Sequence, residues 1–92
     1  MTRLIHRLKL IDDSGGTEER VIWGVPRSPR NPDGIRYRLA YIPKGAAAPK
    51  VLYDNHHPKG HHKHIGARQA AYEFLGVERL LEDFRRDIEA LK

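Results

Sequence analysis

Apolar residues recur at every second position as far as residue 54 and at helical spacing after residue 76, and this change of period constrains the fold more than any other feature. In residues 2–11, Leu4, His6, Leu8 and Leu10 alternate with Arg3, Ile5, Arg7 and Lys9, the pattern of a half-buried strand. Thr17 to Val25 sets Val21, Trp23 and Val25 on one side and reads as the hairpin partner of the first strand. Ile35 to Ile42 places Ile35, Tyr37, Leu39 and Tyr41 opposite Arg36, Arg38, Ala40 and Ile42, and Lys50 to Asp54 makes a short fourth strand. At the other end, Val77, Leu80, Leu81, Phe84, Ile88 and Leu91 form one apolar stripe along a helix of roughly four turns.

The connections decide how these elements pair. Asp12-Asp13-Ser14-Gly15-Gly16 is a turn, since aspartates bond locally and glycines permit positive φ. Pro26 to Gly34 and Pro43 to Pro49 cannot continue a strand, and neither is long enough for the crossover that parallel pairing needs. The expected fold is therefore α+β: an antiparallel sheet of four to five strands in meander order, with a C-terminal helix packed on one face. The fifth strand is expected at the edge over Ala71 to Leu75, bringing Tyr72 and Phe74 together. A helix behind the sheet leaves its other face open, and Arg36, Arg38 and Asp54 are expected there.

A chain of 92 residues supports one domain, 1–92, with a thin core, and suits a protein that buries surface against a partner or in a homodimer. The absence of cysteine removes thiolate chemistry, and no apolar run approaches a membrane span. The expectation is a soluble cytoplasmic protein without membrane contact. The formal net charge is +5, and residues 1–60 carry 11 Lys or Arg against 6 Asp or Glu, whereas 61–92 carry 6 of each. Such a field attracts polyanions, RNA among them, although basic residues also serve solubility alone.

Five of the six histidines fall between His56 and His64, and imidazole is the side chain whose ordinary pKa lies closest to neutrality. For RNA cleavage, a base must take the 2′-hydroxyl proton, a cation must meet charge on phosphorus, and an acid must protonate the leaving 5′-oxygen. His62 and His64, at i and i+2, share a side if their segment is extended, about 6 to 7 Å apart. Lys59 and Lys63 can supply the cation, Gly60 permits close approach of the backbone, Tyr53 can donate or stack, and Asp54 can orient a histidine. This chemistry needs no metal or cofactor. Two alternatives stay open: a metal site built from the same histidines and Asp54, and a loop that recognises or supports without catalysis. A P-loop and a dinucleotide-binding glycine pattern are both missing.

The segments Tyr53-Asp54-Asn55, Lys59-Gly60 and His62-Lys63-His64, followed by Tyr72, Phe74 and the 77–91 helix, resemble the TumE family of small bacterial toxins from toxin–antitoxin pairs. The similarity extends to Val21-Ile22-Trp23-Gly24-Val25-Pro26 and Tyr37-Arg38-Leu39, and so covers nearly the whole chain. It implies an antitoxin partner carrying a helix-turn-helix domain and, by analogy with other small sheet-plus-helix toxins, an endoribonuclease. It singles out Tyr53, Asp54, Asn55, Lys59, Gly60, His62 and His64, with His62, His64 and Lys59 as catalytic candidates. Arg36, Arg38, Tyr53, Asp54, Asn55, Gly60 and Lys63 are the candidate substrate contacts. Where the family tends to carry Thr-Ser before the last helix, this chain has Leu75-Gly76.

Overall fold

The computed structural model describes all 92 residues. Six strands, β1 (Arg3–Ile11), β2 (Thr17–Gly24), β3 (Ile35–Ile42), β4 (Val51–Asp54), β5 (His62–Ile65) and β6 (Arg68–Ala71), form one sheet in sequence order, followed by the helix α1 (Val77–Glu89). Every neighbouring pair is antiparallel. The α+β meander expected from the period change is thus present, with a helix on one face.

The core is the layer between that helix and the middle strands. Ile22, Leu39, Val51 and Tyr53 from the sheet and Leu80 and Phe84 from α1 are completely buried. Leu80, Phe84 and Ile88 are spaced four apart, so they line the one helical face that meets the sheet. The stripe ends there; Leu91 lies beyond the helix and is exposed. Polar groups fasten the same interface. Glu18, almost completely buried, accepts from Arg20 within β2 and from Arg85 of the helix at 2.7 Å. The Tyr72 hydroxyl donates to Asp83 at 2.6 Å, and the Tyr53 hydroxyl donates to Asp87.

The β1–β2 turn shows why its residues were needed. Asp12 Oδ1 accepts from the backbone N–H groups of Ser14 and Gly16, both at 3.0 Å, and Oδ2 accepts from the Tyr41 hydroxyl at 2.7 Å. The Ser14 hydroxyl, then that of Tyr41, hold the Asp12 carboxyl well below the usual carboxylate range. A Cβ at Gly16 would lie 2.1 Å from the Tyr41 oxygen, so this position admits no larger residue without displacing the ring.

Three expectations are corrected. A register shift between Leu4 and His6 pairs Leu4 with Trp23 and His6 with Ile22, so Leu4 leaves the side that His6 shares with Leu8. In β2, Ile22 is the core residue, while Val21 and Trp23 face away from the helix. Alternation misled there because Glu18 and Arg20 occupy inward positions, neutralised by their ion pairs. The edge strand runs over Arg68–Ala71, ahead of the 71–75 segment, and Tyr72 and Phe74 follow it in an irregular connection that packs against the core.

Candidate nucleic-acid interface

Antiparallel pairing puts directly opposed residues on the same face, which defines the open side of the sheet row by row. One row crosses all six strands: Arg7, Val21, Arg38, Asp54, His62 and Ala71. Beside it, Glu19, Ala40, Leu52 and His64 form a second row, and Trp23 pairs with Arg36 at the opposite flank. Arg36 and Arg38 are both exposed, as their spacing implied. Glu19 approaches Arg38 at 4.0 Å, the only carboxylate within ion-pair distance of either guanidinium.

The extended β5 brings His62 and His64 to that face with ring centroids 5.2 Å apart. Their surroundings differ. His62 is only 6% exposed; its Nδ1 lies 2.8 Å from the Gly60 carbonyl and its Nε2 3.2 Å from Asp54 Oδ1. A carbonyl oxygen only accepts, so Nδ1 carries a hydrogen, and Nε2 meets Asp54 as a donor when the ring is protonated. His64 is half-buried, open to solvent beside it. Gly60 holds φ +72°, a left-handed conformation suited to glycine, and this turn aims its carbonyl at His62. Lys59 extends from the loop to Gln69 Oε1 at 3.4 Å, and Gln69 is the β6 residue opposite His64.

Two other candidates lie elsewhere. Tyr53 and Lys63 are on the helix side: Tyr53 is completely buried against Phe84 and Tyr72, and Lys63 Nζ sits 3.2 Å from Asp87. Burial, then the hydrogen bond to Asp87, push the Tyr53 hydroxyl far above its ordinary pKa. Neither side chain reaches the face that holds His62 and His64, because each is an immediate chain neighbour of a residue on that face. Asn55 borders the open face beside Arg36 and Asp54, but it is buried and spends its amide on the backbone of β3, accepting from Tyr37 N at 3.0 Å and donating to Ile35 O at 2.8 Å. It prolongs the sheet beyond the end of β4.

Two features escaped the sequence reading. Trp23, with Val21, Arg36, Arg38, Asp54 and His56, lines a cleft of about 460 Å³ on the open face. Its only signal was an aromatic residue in strand alternation, which also describes a core residue. His61 ties its loop to that of Asp33: Nε2 donates to Asp33 Oδ2 at 2.7 Å, and Nδ1 hydrogen-bonds with the Tyr37 hydroxyl at 2.9 Å. Its ring stacks on Phe74 at 4.8 Å. Nothing in the spacing of His61 distinguished it from its neighbours. No three His, Asp or Glu side chains converge in an arrangement able to hold a metal ion. His6, on the Ile22 side, has a buried Nε2 without a partner and takes no part in this face.

This is a small single-sheet protein, sealed by a helix on one side and presenting arginines, imidazoles and an aromatic cleft on the other. The family model described as Toxin TumE matches residues 1–92, and the chain belongs to that toxin family. Membership in a toxin–antitoxin family implies in general a partner antitoxin. No curated protein and no solved structure matches the chain. No helix is long and apolar enough to cross a membrane.

Proposed function

We propose that this toxin acts on RNA through the open face of its sheet, as a metal-independent endoribonuclease. The observation that carries the reading is the grouping of His62, His64 and Asp54 on the same face as the exposed Arg36 and Arg38. Arg38, in the same row as His62, offers a charge-assisted donor to a phosphodiester at the histidines as negative charge grows on its oxygens, and Arg36 at the far flank holds the adjoining stretch of backbone. His64, the more open imidazole, takes the 2′-hydroxyl proton; the 2′-oxygen attacks phosphorus, and the bond to the 5′-oxygen breaks. The His62–Asp54 pair shares one proton between two strands and delivers it to the leaving oxygen. Lys59 adds a cation at the His64 end. Attack by the neighbouring hydroxyl restricts the substrate to RNA. The same reading has the toxin working in the cytoplasm and held in check by an antitoxin with a helix-turn-helix domain.

A second reading is favoured by a specific observation: His62 is 6% exposed and both of its nitrogens face protein oxygens. With that ring committed to the fold, the face would bind RNA without cutting it and inhibit by occupancy. Incubating purified protein with RNA in excess chelator separates the readings. Cleavage that disappears in folded His64→Ala supports the enzyme. Tight, salt-sensitive binding with no product supports occupancy, and cleavage that requires added divalent ion overturns the metal-independent scheme.

A further inference from the structure

We infer that the cleft walled by Trp23 is a subsite for one unpaired nucleobase, which makes the substrate single-stranded RNA. This rests on the proposal that the open face engages RNA, and goes beyond it by assigning Trp23, a residue with no role in the chemistry. Trp23 is half-buried, so its ring is anchored while part of it borders the cleft. Arg36 stands directly across from it on β3, and the Arg7 guanidinium of β1 lies over its ring, 5.8 Å from the centroid. An aromatic surface flanked by cations is the arrangement that takes a base on the ring and its phosphates on the guanidiniums. The cleft, about 460 Å³ and lined by eight residues, is within the range of small-ligand sites.

Its position orders the nucleotides. Asp54 belongs to the cleft lining and is also the residue opposite His62, so a base on Trp23 adjoins the phosphate offered to the histidines. A paired duplex cannot supply that base, because its rings are stacked on one another and only their edges face a groove. An A-form helix would rest on the arginines and leave Trp23 untouched. Reading only the ring face makes the subsite tolerant of base identity.

Trp23 is the only tryptophan in the chain, so its fluorescence reports this subsite alone. The intact protein is titrated with an unstructured single-stranded RNA oligonucleotide and with a fully paired RNA duplex of equal length. Fluorescence anisotropy of the labelled RNA follows binding independently. The single strand is expected to quench the tryptophan and the duplex to bind without quenching. Trp23→Ala should weaken single-strand binding about tenfold to a hundredfold and leave duplex binding unchanged, while Trp23→Phe, which keeps a stacking ring, recovers most of the loss. Single-strand binding with unchanged fluorescence, or equal affinity in folded Trp23→Ala, overturns the subsite and leaves the RNA reading standing. Failure of both RNAs to bind overturns the RNA reading and the subsite with it.

Discussion

Asp54 and His62 face each other across β4 and β5, with carboxylate oxygen and imidazole nitrogen 3.2 Å apart. The Gly60 carbonyl fixes the other ring nitrogen, so the imidazole cannot turn away from the carboxylate without losing a hydrogen bond. Asp54 also accepts the His56 backbone N–H at 3.1 Å, which fixes the carboxylate in its turn. Asp54→Asn keeps the shape and an acceptor for His56 while removing the charge. In the proposed mechanism it lowers cleavage by about a hundredfold or more, as loss of a positioned proton-transfer group does, and leaves RNA affinity within a few-fold. Cleavage at the wild-type rate by folded Asp54→Asn would remove the pair from the chemistry.

The two faces of the sheet make different predictions for the cations they carry. Arg36→Ala and Arg38→Ala should each lower RNA affinity and reduce the slope of log affinity against log salt by about 1. Lys63→Ala should leave that slope unchanged, because Lys63 is held on the helix side by Asp87. A Lys63 effect as large as that of Arg38 would show that RNA contacts the other side.

Legibility varied with how strongly each residue's environment agreed with its neighbours. β3 was readable in full, since Ile35, Tyr37, Leu39 and Tyr41 are all buried and Arg36 and Arg38 are both exposed. β2 was read inside out because Glu18 is buried by ion pairs and Trp23 is left on the open side, neither of which hydropathy reveals. β6 was displaced because Arg68-Gln69-Ala70-Ala71 has no apolar alternation, and its pairing with β5 is what defines it. In the candidate site, the i, i+2 spacing of His62 and His64 did translate into a shared face. The same period separates Tyr53 from Asp54 and Lys63 from both histidines, a consequence of strand geometry that motif similarity overrode.

Three of the four tyrosines, Tyr37, Tyr53 and Tyr72, have their hydroxyl pKa raised, in each case first by burial. For Tyr53 and Tyr72, hydrogen bonds to Asp87 and Asp83 add to it. In the unfolded chain these groups ionise near the ordinary value of about 10. Since the folded values are higher, their contribution to stability is fully present below about pH 10 and is lost as pH rises beyond it. Phenolate absorbance of these three should therefore appear together with loss of helical circular dichroism. A titration of all four tyrosines near their ordinary value in a chain that remains folded would contradict this packing.

Phe84 is completely buried and meets the Tyr53 ring edge-on at a centroid distance of 5.7 Å. Phe84→Ala should cost about 3 to 5 kcal/mol, combining lost transfer free energy with the cavity left behind. Urea denaturation measures it, and a loss below about 1 kcal/mol would show that the helix packs loosely on the sheet. Because Phe84 is on the opposite side from His62 and His64, RNA affinity of the folded fraction should change little.

Gly76, which precedes α1, has φ +110° and ψ 162°, a conformation essentially restricted to glycine. It supplies no side-chain cap, and serine is ordinarily the better residue there by a few tenths of a kcal/mol. Space is not the obstacle, since a Cβ at Gly76 would meet nothing within 4 Å. The backbone is: placing a side chain in this region costs about 1 to 3 kcal/mol, which exceeds what the cap returns. Gly76→Ser is therefore expected to lower the urea midpoint, and Gly76→Ala, which has no capping oxygen, to lower it further. A midpoint that rises in the serine variant would mean that the helix entry relaxes to negative φ, the conformation in which a serine oxygen reaches the free N–H groups of the first turn.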